Sequence, residues 1–162
     1  MKTAICPGSF DPITVGHIDL AARAAAIFDR VILCVMVNAE KRHMFSLTER
    51  LELARAATAG LPNVEAAACD GLLADFARSQ DACALVKGVR GAGDLDWEIQ
   101  MAQINRDLCP GLDTVLLPAR PEHLHISSTL VREMLRYGRT PAPYIPPGTE
   151  ELLQRIRQGK VR

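Results

Sequence analysis

Residues 31–37 read Val31-Ile32-Leu33-Cys34-Val35-Met36-Val37. No polar side chain interrupts them. A strand with one wet face alternates apolar and polar residues, whereas a strand covered on both faces is an unbroken apolar run. The stretch therefore predicts a buried strand of a parallel sheet. Just upstream, His17–Phe28 carries Ile18, Ala21, Ala22, Ala25 and Phe28 at helical spacing, so a helix leads into the strand. Downstream, Ser46-Leu47-Thr48-Glu49 is a capping box, and Leu47, Leu51 and Leu53–Ala57 carry a second helix.

The alternation extends in both directions. Thr3–Cys6 is a short first strand, Asn63–Ala68 an Ala-rich third, Ala82–Val86 a fourth and Asp113–Leu117 a fifth. Leu72–Ser79 is a short helix. Asp94 is placed to cap a helix to about Leu108, stopped by Pro110-Gly111. Ser127 or Ser128 opens a helix through Tyr137. Pro141–Gly148 is proline-rich and irregular, and Thr149 caps a last helix, about 149–158. Strand–helix repetition of this kind predicts an α/β fold: a doubly wound, five-stranded parallel sheet with helices on both faces. Ligands of such folds sit beyond the carboxyl ends of the strands, at the switch point.

Composition agrees. The chain has 162 residues, which fits one domain spanning 1–162 at ~100–200 residues per domain. Apolar residues are 48% and charged residues 23%, enough to fill a core and too ordered a composition for global disorder. Lys+Arg and Asp+Glu are both 19. Without a basic surplus, nucleic acid is not the expected partner. The five cysteines are odd in number and none is spaced C-x-x-C, which argues against a disulfide framework or a zinc site. Reduced thiols fit the cytoplasm. Only a few apolar residues precede Pro7-Gly8, too few for a signal-peptide core, and the run 31–37 is far short of the ~20 residues that span a bilayer. A soluble cytoplasmic protein with no membrane partner is expected.

Three loops carry chemistry. The first strand is followed by Cys6-Pro7-Gly8-Ser9-Phe10-Asp11-Pro12-Ile13-Thr14-Val15-Gly16-His17. This is neither G-x-G-x-x-G nor a P-loop. It still offers glycines for close backbone approach, a serine hydroxyl, and His17 in the first turn of a helix, where N–H groups and the dipole favour anions. A Pro/Gly-rich turn with a surface histidine fits the same residues. Val86-Lys87-Gly88-Val89-Arg90-Gly91 leaves the fourth strand with two cations suited to phosphate, and a solvated loop is the alternative. Lys41 and Arg42 add charge after the second strand. Ile126-Ser127-Ser128-Thr129 places three hydroxylated residues at a helix start, with Arg132 one turn on. One of them would suffice as a cap. His123 and His125 have the spacing of an extended segment; a third metal ligand to join them does not suggest itself, so no residue is assigned to a metal.

Thr14-Val15-Gly16-His17 and Ile126-Ser127-Ser128-Thr129 resemble the T/HxGH and ISSx motifs of the nucleotidyltransferase superfamily. Within it, the chain closely resembles the bacterial phosphopantetheine adenylyltransferase family from about Lys2 to Leu153. The resemblance is carried, in order, by Pro7-Gly8-Ser9-Phe10-Asp11-Pro12, Met44-Phe45, Leu85-Val86-Lys87-Gly88-Val89-Arg90, Asp94-Leu95-Asp96-Trp97-Glu98 and Met101-Ala102-Gln103-Ile104-Asn105-Arg106. It implies a Rossmann-like nucleotidyltransferase fold and adenylyl transfer from ATP to 4′-phosphopantetheine, giving dephospho-coenzyme A and pyrophosphate. It further implies Mg²⁺ on the triphosphate, a homohexamer, and feedback inhibition by coenzyme A.

The same resemblance assigns roles. His17, Arg90 and Ser128 would stabilise the transition state. Ser9, Phe10, His17, Gly88, Val89, Arg90 and Glu98 would bind ATP, as would the run His123, Leu124, His125, Ile126, Ser127, Ser128, Thr129. Ser9, Lys41, Leu73 and Lys87 would bind the acceptor. The chain departs from the family at Cys6 and Trp97, where Tyr is usual, at Val15 for Asn and at Leu95 for Phe. Lys87 keeps the charge of the alternative Arg but not its fork. Competing expectations are a nucleotidyltransferase with another phosphorylated acceptor, for example one making a nicotinamide or CDP-alcohol product, and a non-catalytic nucleotide or coenzyme A sensor. Intact His17 and Ser127–Thr129 weigh against the sensor, and the lysine pair with Asp94–Glu98 against the other acceptors.

Overall fold

The computed structural model describes residues 1–37 and 42–160. Strands β1 (Thr3–Gly8), β2 (Arg30–Met36), β3 (Val64–Cys69), β4 (Ala82–Val89) and β5 (Asp113–Pro118) form a five-stranded sheet in the order β3-β2-β1-β4-β5. Every adjacent pair is parallel. The connecting helices are α1 (Val15–Ala25), α2 (Leu47–Thr58), α3 (Leu73–Ser79), α4 (Ala92–Leu108), α5 (Ser128–Arg136) and α6 (Glu150–Lys160). This is the doubly wound α/β fold expected. The chain winds one way from β1 to β3, then crosses back to β4, so the switch point lies between β1 and β4.

The β2 run is buried as its composition demands, with Val31 to Val35 wholly inaccessible. Its side chains divide by the period of two. Val31, Leu33 and Val35 pack with Ala21 and Ala24 of α1, Leu53 of α2 and Val131 of α5. Ile32 and Cys34 face the other way, toward Ala74 and Ala77 of α3. Burying each such aliphatic side chain contributes roughly 1.5–3 kcal/mol. Among the described residues no helix is long and apolar enough to cross a membrane.

Several boundaries differ from expectation. Helix α1 begins at Val15 rather than His17, because Thr14 caps it with extended backbone (φ −124°, ψ 165°). Helix α4 begins at Ala92 behind an extended Gly91, so Asp94 is not the cap. It lies in the first turn instead, where its carboxylate accepts the Arg90 N–H at 3.1 Å. His123 is not in an extended segment, since Pro121–His123 forms a 3-10 turn with proline at its start. The last helix runs 150–160 rather than 149–158, and the Thr149 hydroxyl donates back to the Pro146 carbonyl at 2.6 Å. On α4, Trp97, Ile99, Ile104 and Leu108 are exposed.

Candidate active site

A cavity of about 350 Å³ opens at the carboxyl ends of β1 and β4. Its floor is Cys6, Pro7 and Gly8 from β1 and Lys87 and Gly88 from β4. Three helix starts supply its walls: His17 from α1, Asp94 and Glu98 from α4, and Ser127 and Ser128 at α5. Unpaired backbone N–H groups and the positive dipole end of a helix favour an anion there. Burial pushes the Cys6 thiol up to about 12, so the floor carries a neutral SH.

The β1–α1 loop fixes His17. Its Nδ1 accepts the Thr14 N–H at 3.1 Å, with the Thr14 hydroxyl also at 3.1 Å. An accepting Nδ1 leaves the ring proton on Nε2. Burial, followed by the nearby Arg90 and Lys87, lowers its pKa from 6.5 to about 4. At neutral pH His17 is therefore an uncharged hydrogen-bond donor. Phe10 packs edge-on against the imidazole, ring centroids 5.0 Å apart and planes at 86°. Phe10 reaches this place with φ +47°, a left-handed conformation that a bulky residue seldom adopts. Gly8 is required beside it, because a Cβ there would lie 2.9 Å from the Phe10 ring.

Other elements tie the loop down through its polar groups. Asp11 accepts the N–H groups of Met44 and Phe45, both at 2.9 Å. Arg50 of α2, 2% exposed, donates through one terminal nitrogen to the Ser9 carbonyl at 2.6 Å and the Met36 carbonyl at 3.0 Å. From α5, the Ser128 hydroxyl donates to the Pro12 carbonyl at 2.7 Å, and Arg132 to the Asp11 carbonyl at 2.7 Å. Each tie satisfies a backbone or carboxylate group that burial would otherwise leave unpaired.

The cations are paired with acids of the same chain. Lys87 meets Glu98 at 2.9 Å, and Arg90 meets Asp94 at 3.1 Å. The Arg90 guanidinium holds the Asp94 carboxyl below its ordinary range. The acids pre-orient the cations, and an incoming phosphate competes with them for the same N–H groups.

The cavity thus unites Phe10, His17, Lys87, Gly88, Arg90 and Glu98 with His123, Ile126, Ser127 and Ser128. Other anticipated residues do not line it. Ser9 contributes its carbonyl to Arg50, and Val89 accepts the Ala119 N–H at 2.8 Å. Leu124 is exposed, and His125 stacks edge-on with Tyr144, centroids 6.0 Å apart. The Thr129 hydroxyl accepts from Arg132 at 3.0 Å. Leu73 packs at the start of α3 against the α3-side core. Lys41 lies outside the described residues. Ser127 is the helix cap, accepting the Leu130 N–H at 3.1 Å. The serine hydroxyls are therefore engaged within the chain, and α5 offers its first-turn N–H groups as donors.

Sequence reading missed Asp11 and Arg50 as anchors, and Asp19, Arg23 and Arg120 as wall residues. Only Asp19 and Arg23 left a local signal, their four-residue spacing on α1.

Residues 5–134 match the cytidylyltransferase-like family, which places the chain, with its switch-point cavity and three helix starts, in the nucleotidyltransferase superfamily. The solved structure of a putative nicotinate-nucleotide adenylyltransferase from Vibrio parahaemolyticus shares the fold: TM-score 0.72, 22% identity, 96% of this chain and 93% of that one covered. Two curated phosphopantetheine adenylyltransferases are far more similar in sequence. That of Symbiobacterium thermophilum is 46% identical, with 95% of both chains covered, and that of Chloroflexus aurantiacus 50% identical, with 91% of both covered. The chain belongs to the phosphopantetheine adenylyltransferase family.

Proposed function

We propose that the protein transfers the adenylyl group of ATP to 4′-phosphopantetheine, giving dephospho-coenzyme A and pyrophosphate, a step of coenzyme A biosynthesis. The observation that carries the chemistry is the neutral His17, its Nε2–H free to donate, set among Lys87, Arg90 and the α5 start around one cavity. The acceptor is already a phosphate anion, so attack on the α-phosphorus needs no general base. The phosphate P–O bond forms as the bond to the pyrophosphate oxygen breaks, and pyrophosphate leaves with the electron pair. Catalysis then consists of positioning and charge stabilisation. Lys87, together with Lys41, holds the acceptor phosphate. His17, Arg90 and the α5 N–H groups stabilise charge on the five-coordinate phosphorus and on the leaving group.

Mg²⁺ would come bound to the nucleotide and would supply charge neutralisation on the triphosphate, with no protein carboxylate needed to hold it. The cavity fits a metal held that way: its carboxylates Asp19, Asp94 and Glu98 are each engaged by a cation of the chain. The exposed apolar residues of α4 support assembly with further copies, which the family resemblance gives as a homohexamer in the cytoplasm. Coenzyme A, which contains the product, competes for the same cavity as a feedback inhibitor.

The test is pyrophosphate release from Mg·ATP with and without 4′-phosphopantetheine, with the product identified by mass. Release that depends on this acceptor, alongside dephospho-coenzyme A, is expected. Bound ATP without release overturns the acceptor assignment and moves the weight to another acceptor or to the sensor.

A further inference from the structure

An acid in a cavity built for a polyphosphate repels its ligand unless it has other work. Asp19 is such an acid. It lines the cavity two residues beyond His17 on α1. Its Oδ1 lies 2.9 Å from Arg120 Nε in an ion pair, and its Oδ2 lies 3.4 Å from an Arg23 terminal nitrogen. That same Arg23 nitrogen donates to the Pro118 carbonyl at 2.8 Å, on the last residue of β5. The next residue, Ala119, donates its N–H to the Val89 carbonyl at 2.8 Å. Two cations and one backbone bond thus bracket the β5 exit, and the turn bearing His123 starts immediately after Arg120. The turn packs on α1 as well: a Cβ on Gly16 would lie 3.8 Å from the His123 Cβ.

From this arrangement we infer that Asp19 is a positioning residue: by holding Arg23 and Arg120 it fixes the Pro118–His123 wall against the helix that carries His17. The ion pair with Asp19 also holds the half-exposed Arg120 side chain at the cavity wall. The wall contributes to holding the nucleotide rather than to the bond-making step. The inference rests on the nucleotidyltransferase reading but not on the identity of the acceptor.

The experiment is a double-mutant cycle of Asp19→Asn, Arg120→Ala and their combination, read by calorimetric titration with Mg·ATP and by steady-state kinetics. Each single variant is expected to weaken ATP binding about three- to tenfold, with the double variant no worse, because both break one pair. The loss falls on KM for ATP; kcat and KM for the acceptor stay within about twofold. Arg120 is half-exposed, so its variant folds even where Asp19→Asn does not. Unchanged ATP affinity, additive losses, or an equal fall in kcat would overturn the inference. Wild-type protein that binds Mg·ATP but does not use 4′-phosphopantetheine would refute the acceptor and leave this reading standing.

Discussion

Acidification should destabilise the protein through His17 in particular. The folded pKa, about 4, lies below the ordinary 6.5. Unfolded chain therefore binds a proton at this ring that folded chain refuses. The sign follows: this contribution is neutral above about pH 7, and stability falls as the pH drops through the ordinary histidine range toward 4. A full displacement of this size is worth ~3 kcal/mol at ~1.4 kcal/mol per pH unit. At about pH 5 most of it has been lost, and because His17 is half-buried by surface area the contribution is about 1–2 kcal/mol. The perturbation is His17→Gln, which cannot titrate while its amide oxygen can still accept the Thr14 N–H. Urea denaturation at pH 7 and pH 5, followed by circular dichroism, should show wild type losing that much more stability than the variant. Other titrating groups are shared and cancel. Equal pH dependence in the two proteins, or a His17 ring resonance titrating near 6.5 in the apo protein, would refute the reasoning.

His17→Ala should lower kcat about 100- to 1000-fold while ATP affinity changes little, as for loss of a charge-stabilising donor; steady-state kinetics beside equilibrium binding checks this. If Lys87 holds the acceptor phosphate as proposed, Lys87→Ala should raise KM for the acceptor more than KM for ATP, because it also frees the Glu98 carboxylate to repel. Arg50→Met should cost about 2–4 kcal/mol in urea unfolding, since it strips the Ser9 and Met36 carbonyls of a charged donor. Gly8→Ala should cost about 1–3 kcal/mol and reduce turnover, because the added methyl pushes the Phe10 ring off His17.

The fold was legible because its signals are local. The Val31–Val35 run, the Ser46–Glu49 box and the breaks around the helices each report on neighbours within a few residues. The errors were local too, and those at α1 and α4 have competing cap interactions behind them. Thr14 capped α1 with histidine in the place usually taken by Glu or Gln, and Asp94 turned back to Arg90. In the site, the cations at the end of β4 and just beyond it, Lys87 and Arg90, and the hydroxyls at the start of α5 were visible as residue types. Their engagements were not. Ser128 reaches Pro12 across 116 residues, and Arg50 reaches Ser9 across 41. Nothing in a linear pattern announces which carbonyl a buried side chain will meet. Asp11, Arg50 and Arg120 went unread for the same reason.

The ties on the β1–α1 loop have a consequence for how the protein fails. Loops that bear catalytic groups commonly open on their own, at a small fraction of the cost of global unfolding. This loop is stapled to α2 by Arg50, to the chain before α2 by Asp11, and to α5 by Ser128 and Arg132. It cannot detach without breaking contacts that belong to the body of the molecule. Its amides should exchange with solvent deuterium as slowly as those of β1, and thermal inactivation should share one midpoint with the melting of the sheet.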